Sequence, residues 1–250
     1  KGYRNIPPVN MAKVEETMIN FSQLIEEHPE IAEIDINPLI ASGDNLVAVD
    51  ARIVIDEKPE NKPNMIISKY PSKYIKKVEL KDGIELTLRP IKPEDEPLWL
   101  EMFKSFSEES VRFRFFRIIR DTPHEMRIRY CNIDYDREIG IVAELNENGK
   151  RRLLGVTRII MTPGRDDEAE FALIVSDEWH RKGLGSEFLE YTLAIGKDKN
   201  LKKIYGTVLK DNIPMLKLCK EFNFEITEGD PGEYHVEYNL TKNKEIKNII

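Results

Sequence analysis

Apolar residues recur along this chain in two periods, which predict where its helices and strands lie. Between residues 10 and 27 they return every three or four positions, as on an amphipathic helix. Residues 31–41 and 46–55 alternate as strands do, and the turn at 42–45 joins them into a hairpin. A helix and one hairpin rarely make an independent core, so we expect this piece to belong to something larger.

The rest of the chain switches repeatedly between the two periods. The predicted strands are 83–91, 139–145, 153–161, 170–176, 201–209, 224–230 and 233–240. The predicted helices are 94–106, 108–119 and 183–197, a further helix from a cap at Asp211 to 222, and a shorter candidate at 125–130. The main order is therefore β-α-α-β-β-β-α-β-α-β-β.

A segment rich in proline and charged residues separates two regions of the sequence. Residues 57–74 carry three prolines and several charges, as linkers do, and separate a small region, 1–56, from a main domain at 75–240. Residues 241–250 are expected to form a tail. The sequence begins at Lys1 without Met, so we expect a fragment of a longer protein.

Composition narrows the class of protein. The 250 residues are 33% charged and carry a net charge of −7, which suits a globular protein in water and argues against nucleic acid as the main partner. Arginines alternate with phenylalanines between residues 112 and 120, which leaves RNA binding as the weaker alternative to a helix with a solvated arginine face. Two cysteines, no signal peptide and no apolar run long enough for a membrane favour the cytoplasm.

Residues 168–194 carry the strongest chemical signal. An apolar strand is followed by a turn, then by Gly183 and Gly185, then by an amphipathic helix. Free N–H groups and the dipole at a helix N-terminus attract phosphate, and glycines let a ligand approach the backbone. Glu170 begins the strand that leads into this loop, which places a candidate base and an anion site on one short element.

Residues 83–240 resemble the GNAT superfamily of N-acetyltransferases. The family signature, Gln/Arg-x-x-Gly-x-Gly/Ala, is matched by residues 180–185, with His180 in place of the first Gln or Arg. The resemblance implies an α/β (α+β) fold, with a mixed, twisted sheet of six to seven strands and flanking helices, and acetyl-CoA as substrate without a metal. It also implies the coenzyme A contacts, which would be Leu173, Ile174, Val175, Arg181, Lys182, Gly183, Leu184, Gly185, Ser186 and Asn212.

The same resemblance suggests the catalytic groups. Glu170 would be the general base, in surroundings made apolar by Phe171 and Leu173, and the Ile174 N–H would steady the oxyanion. Many family members carry a tyrosine acid where this chain has Cys219, which we expect to be a small buried filler. The general acid is therefore left unassigned.

The first region is similar to the closing segment of the ATP-grasp part of ADP-forming acyl-CoA synthetases, through EIDINPLI and LVAVDARIV. That family would use Asn37 and Asp50 to hold Mg²⁺, although in this fragment we expect a turn residue and an exposed strand residue. A synthetase-like region before a GNAT domain is the layout of bacterial protein lysine acetyltransferases. The acceptor would then be a protein lysine, with an acyl-CoA synthetase as the expected partner and direct attack on the thioester.

Other interpretations stay open. The domain would equally suit acetylation of a small amine, such as a polyamine or an aminoglycoside, because a fold does not decide its substrate. A non-catalytic module that senses coenzyme A and a remnant of a nucleotide-dependent ligase are further alternatives.

Overall fold

The computed structural model describes residues 9–28, 30–43, 45–56, 70–81 and 83–242. These fall into two compact units that divide between residues 69 and 70. Most of the expected linker, 57–69, and the tail from 243 onward lie outside the described residues. None of the helices among the described residues combines the length and the apolar character needed to cross a bilayer.

The first unit is the predicted helix and hairpin. It comprises helix α1 (Met11–Glu27) and strands β1 (Ile31–Ile36), β2 (Leu39–Ser42), β3 (Asn45–Ala48) and β4 (Ala51–Ile55). The hairpin is confirmed but interrupted: β1 pairs with β4 and β2 with β3, all antiparallel. At the interruption the Asn37 N–H donates to the Asp50 carbonyl at 3.1 Å.

The side chains of Asn37 and Asp50 are both exposed. Within the described ranges, three or more His, Cys, Asp or Glu side chains never gather as a metal ion would require. The magnesium role that the resemblance gave to this pair therefore stays an expectation.

The second unit contains eight strands and five α-helices among its described residues. The strands are β5 (Lys76–Glu79), β6 (Glu85–Pro90), β7 (Glu138–Glu147), β8 (Lys150–Met161), β9 (Glu168–Val175), β10 (Lys203–Leu209), β11 (Glu225–Glu228) and β12 (Glu233–Asn239). The helices are α2 (Glu96–Lys104), α3 (Glu108–Phe115), α4 (His124–Cys131), α5 (Leu184–Asp198) and α6 (Ile213–Glu221).

All eight strands join one mixed sheet in the order β11-β12-β10-β9-β8-β7-β6-β5. Only the β9–β10 pair is parallel among these neighbours. The sheet has one strand more than the six to seven expected, because residues 76–79 pair with β6 as an edge strand. The expected linker also ends earlier, since the Tyr70 hydroxyl donates to the Pro90 carbonyl at 3.0 Å and Tyr74 is buried.

Helices cover both faces of the sheet. Helices α5 and α6 bury residues such as Phe188 and Leu216 against one face. Helices α2, α3 and α4 bury a second, aromatic-rich cluster against the other face, including Trp99 and Phe103. Because side chains alternate along a strand, β9 sends Phe171 and Val175 to the first face and Ile174 to the second.

The two central strands separate after a short parallel contact. Strand β9 pairs with β8 along its whole length, from Ala169 to Val175. It pairs with β10 only from Glu168 to Glu170, where Glu170 lies opposite Tyr205. The next residues are Phe171 and Gly206, and the Phe171 ring occupies the space that a side chain at 206 would need.

Two predicted helix boundaries were wrong. Helix α3 ends at Phe115 instead of 119, because Phe116 takes a left-handed conformation (φ 59°) as its C-cap. Arg117 and Arg120 therefore lie in the following loop and not on a helix face. Helix α6 is capped by Asn212, whose side chain accepts from the Met215 N–H at 3.2 Å, and not by Asp211.

Substitution of Gly206 by alanine should destabilise the second unit. A Cβ there would lie 2.9 Å from the Phe171 ring and 3.1 Å from its carbonyl oxygen, so one of the two strands must shift. We expect a loss of about 1–3 kcal/mol in urea unfolding. In Gly229→Ala the nearest atom lies at 3.4 Å, so this variant is the control. Equal stability of the two variants would contradict the close packing described above.

Candidate active site

The loop between β9 and α5 winds tightly before the helix begins. A single 3-10 turn, Asp177–Trp179, leads into the loop, and both Arg181 (φ 62°) and Gly183 (φ 95°) adopt left-handed backbone conformations. Gly183 is the N-cap of α5, and no side chain caps this helix end. Glycine suits position 183 because a Cβ would strain a residue at this φ, whereas nothing in the protein occupies the space around it.

The backbone donors of this loop have no partner in the part of the chain that the structure describes. From Arg181 to Ser186, none of the N–H groups donates to an acceptor among the described residues, and Glu187 is the first to do so, to the Gly183 carbonyl at 3.1 Å. The side chain of Arg181 is exposed, while Lys182 lies over the Trp179 ring at 4.5 Å. The loop therefore presents unpaired donors and two cations at a helix N-terminus, a favourable place for an anion.

Gly185 is not required by the packing of the protein. A Cβ at this position would meet only the Leu218 side chain, at an ordinary contact distance of 3.7 Å, and its φ is not left-handed. Its lack of a side chain therefore leaves the first turn of α5 open on the outside.

Beyond Glu170, strand β9 pairs with β8 on one side only, and a gap between β9 and β10 opens on its other side. The Ser176 N–H donates to the Leu154 carbonyl at 2.8 Å, and a Cβ at Gly155 would lie 2.6 Å from the Ile174 carbonyl. Because backbone groups alternate in direction along an antiparallel pair, the Ile174 N–H also faces β8. Leu173 and Val175 then direct their N–H and C=O groups away from β8, but the Val175 carbonyl is hydrogen-bonded to His180 Nε2 at 2.9 Å.

This register corrects one expectation. The Ile174 N–H cannot steady an oxyanion in the gap, because it faces the neighbouring strand. Among Leu173, Ile174 and Val175, which were expected to contact coenzyme A, the backbone groups available on this edge are those of Leu173 and the Val175 N–H. The sequence could not show this, since a shift of one residue exchanges the two edges of a strand.

Glu170 stands at the point where β9 and β10 part. Its side chain is exposed and lies on the face opposite α5 and α6, away from Phe171 and Leu173. The apolar surroundings expected for this carboxylate were therefore wrong. Tyr205, its partner in register, points to the same face and shares a hydrogen bond of 2.9 Å with the Thr162 hydroxyl.

Residues 211 and 212 bring a third element to the gap. Asn212 uses Oδ1 to cap α6, so only its Nδ2 group is left for a ligand. Asp211 forms an ion pair with Arg112 of α3. This ion pair links the helix packed on β9 to the segment that follows β10.

Cys219 is the buried filler that we expected. It is fully buried in α6, within the cluster on the α5 and α6 face. Burial raises the pKa of its thiol to about 12, so the thiol stays protonated at neutral pH.

The start of α3 is fixed to the end of β9. The Asp177 carboxylate accepts from the Ser107 N–H at 2.8 Å, from the Ser107 hydroxyl at 2.6 Å and from the Ser110 hydroxyl at 3.0 Å. Burial disfavours its charged form, yet these hydrogen bonds outweigh burial and lower the pKa of Asp177. Helix α3 is thereby held over the strand that carries Glu170.

Sequence reasoning missed Arg114 and Tyr205. Arg114 lies on α3, half-buried beside the aromatic cluster, and Tyr205 lies next to Glu170 across the parallel pair. The alternation of arginine and phenylalanine between 112 and 120 was a signal for Arg114, but it did not say which arginine turns inward. Tyr205 needed the strand register, which the sequence does not contain.

Comparison with known proteins identifies the second unit. Residues 85–225 match the acetyltransferase (GNAT) domain family, which is more than half of the chain. The chain belongs to the GNAT acetyltransferase family. Acetyl transfer from acetyl-CoA is the chemistry of this family, and the mixed sheet with flanking helices agrees with its fold.

An acetyltransferase and a solved GNAT domain show the extent of the match. An acetyltransferase of Pseudomonas aeruginosa is 23% identical over 154 residues, which cover 62% of this chain and 82% of that protein. The GNAT domain of S. lividans PAT superimposes with a TM-score of 0.63 at 23% identity, covering 68% of this chain and 99% of that domain. At this identity the structural likeness establishes the fold alone.

The first unit matches a different family. Residues 1–55 match the ATP-grasp domain family. Over 54 residues the chain is 43% identical to the beta subunit of acetate–CoA ligase (ADP-forming) I from Pyrococcus furiosus. The match covers 22% of this chain and spans about a quarter of that subunit, 23%. The first region is therefore an ATP-grasp fragment, as its sequence suggested.

Replacement of Asp177 by asparagine should loosen α3 from β9. Loss of the carboxylate weakens three hydrogen bonds, so we expect a loss of about 1–2 kcal/mol in urea unfolding at pH 7. The folded pKa lies below the unfolded value of about 3.9, so this stabilisation is present above that pH and is lost as the pH falls through the folded pKa.

The difference between wild type and Asp177→Asn should therefore shrink between pH 5 and about pH 3. Asp166→Asn is the control, because Asp166 is exposed and makes no hydrogen bond or ion pair to another described residue. A difference that is the same at every pH would mean that the charge of Asp177 plays no part.

Proposed function

We propose that this protein transfers an acetyl group from acetyl-CoA to the ε-amine of a protein lysine, and that its acceptor is an acyl-CoA synthetase. The observation that carries the proposal is the meeting, on one strand, of an open edge, a helix N-terminus with free donors and an exposed carboxylate. The ATP-grasp fragment in the same chain supports the link to a synthetase.

The diphosphate of coenzyme A would bind at the start of α5. Six consecutive residues, from Arg181 to Ser186, offer N–H groups that pair with no acceptor among the described residues. Arg181 and Lys182 add positive charge, and the Ser186 hydroxyl adds a further donor. Gly183 provides the left-handed turn, while Gly185 leaves room for the phosphates.

The pantetheine arm would lie in the gap between β9 and β10. Its amides would pair with the N–H and C=O groups of Leu173 and with the Val175 N–H, as an added strand pairs with a sheet edge, whereas the Val175 carbonyl is already bonded to His180. The Nδ2 group of Asn212 is a further donor on the opposite side of the gap. The thioester would then reach the face of the sheet on which Glu170 lies.

The acceptor lysine must lose a proton before it can attack. Its ammonium has a reference pKa near 10.4, so at neutral pH nearly every lysine is protonated. Glu170 would take one proton, directly or through water, as the nitrogen attacks the thioester carbon. The Leu173 N–H, which faces the gap, would donate to the developing oxyanion.

The tetrahedral intermediate would then collapse with cleavage of the C–S bond. Coenzyme A leaves as a thiolate, and the second proton of the nitrogen passes to the thiolate or to solvent. A thiolate is a good leaving group, since a thiol has a pKa of about 8.5, so the step does not require the buried Cys219. Tyr205, beside Glu170, is the hydroxyl best placed to supply a proton.

Labelling of a lysine is the direct test of this proposal. The full chain is incubated with labelled acetyl-CoA and an acyl-CoA synthetase, and the modified residues are located by mass spectrometry. We expect a specific acetyl-lysine, and Glu170→Gln should lower kcat about a hundredfold with unchanged acetyl-CoA affinity. The control is Glu168→Gln, two residues earlier on the same strand. Acetylation of small amines alone would overturn the proposed acceptor.

Substitution of Gly185 by alanine separates ligand binding from folding. The added methyl group fits against Leu218 and favours the helix, so the free energy of unfolding should stay equal or rise by about 0.5–1 kcal/mol. The same methyl group would obstruct the phosphates. We expect acetyl-CoA to bind roughly tenfold more weakly in calorimetry, about 1.4 kcal/mol. Undiminished affinity would place the diphosphate elsewhere.

A further inference from the structure

Helix α3 carries one cation, Arg114, that is in no ion pair with the residues that the structure describes. The guanidinium of Arg114 is half-buried, and no other described residue forms a hydrogen bond or an ion pair with it. The guanidinium lies over the ring of Phe115, at 5.0 Å from its centroid. A guanidinium taken partly out of water without a directly bonded counter-charge is costly, so the position needs a reason.

Arg114 lines a narrow pocket between the sheet and the helices. The walls are aromatic and aliphatic, and they include Phe103, Phe115, Tyr130 and Ile174. The other cation of the pocket, Arg158, is fully buried and already paired with Glu138, and it also donates to the Tyr130 carbonyl. Arg114 is therefore the cation that remains available.

The pocket lies on the same face of the sheet as Glu170. Burial and the nearby charge of Arg158 lower the pKa of Arg114, whereas Tyr130, Glu170 and Glu138 act in the opposite direction. Glu170 is thus close enough to interact with Arg114. Glu170 forms no ion pair with Arg114, however, so the Glu170 carboxylate stays available for the proposed role as a base.

In the proposed binding mode, the phosphates of coenzyme A are not the partner of Arg114. Their proposed binding site is at the start of α5, on the opposite face of the sheet. A substrate group that reaches the Glu170 face must come from the acceptor or from the acyl chain. Arginine binds a carboxylate with two parallel hydrogen bonds, and such pairs are strong when partly shielded from water.

We propose that Arg114 binds a carboxylate carried by the substrate, next to the reacting amine or at the end of the acyl chain. This inference rests on the proposed acyl transfer and adds a preference for acidic substrates. If the acceptor supplies this carboxylate, it belongs to an aspartate or glutamate beside the target lysine. If the acyl chain supplies it, the acyl group is a dicarboxylic one such as succinyl.

The test measures binding by calorimetry, so that it does not depend on turnover. In the acceptor arm, the protein loaded with coenzyme A is titrated with blocked lysine peptides that carry Asp or Asn next to the lysine. In the acyl arm, the free protein is titrated with succinyl-CoA and with butyryl-CoA, which has an uncharged chain of the same length. Wild type should prefer the carboxylate at least about tenfold in one of the two arms.

Three variants decide what the preference means. Arg114→Met should abolish it, and Arg114→Lys should retain part of it because the charge is kept. Arg137→Met is the control, because Arg137 is exposed and lies outside the pocket. Thermal unfolding checks that each variant is folded.

The outcomes separate this inference from the proposed function. A preference in wild type that persists in Arg114→Met overturns the inference, as does the absence of preference in both arms. Equal weakening of charged and neutral ligands by Arg114→Met also overturns it, because the role would then be general. If lysine acetylation fails while the acyl preference holds, the proposed function is lost and the assignment of Arg114 stands.

Discussion

The short parallel contact between β9 and β10 is the constraint on which the rest of this site depends. Strand β9 is paired with β8 along its length, whereas β10 leaves it after three paired residues. The separation ends the pairing at Glu170 and leaves the backbone groups of Leu173 and the Val175 N–H without a strand partner on this edge. The separation of β10 from β9 thus produces an open strand edge that begins at the Glu170 carboxylate.

Contacts between elements fix what surrounds this gap. Asp177, immediately after β9, holds the first turn of α3, and the Arg112–Asp211 ion pair links α3 to the segment before α6. Both contacts use residues that lie next to proposed ligand-binding residues. These contacts hold the elements around the gap in place before a ligand binds. Less conformational entropy of the protein is therefore lost on binding.

The local parts of this structure could be predicted from sequence, and the parts that depend on pairing could not. For residues 168–197, the spacing of apolar residues predicts the strand and the helix, and Gly183 predicts the loop between them. Both signals are contained in neighbouring residues. The direction of the Ile174 N–H, the exposure of Glu170 and the position of Tyr205 are set by strand register. The inward turn of Arg114 depends on where α3 packs, so its role was invisible in the alternating arginine pattern.

The sheet also divides the proposed chemistry between its two faces. The donors at the start of α5 lie on one side, whereas Glu170, Tyr205 and Arg114 belong to the other. Coenzyme A would therefore reach its acceptor through the gap, and the diphosphate would be held apart from the reacting amine. This separation has an electrostatic consequence: the cations that attract phosphate do not compete for Glu170, and the base is left to the ammonium of the acceptor.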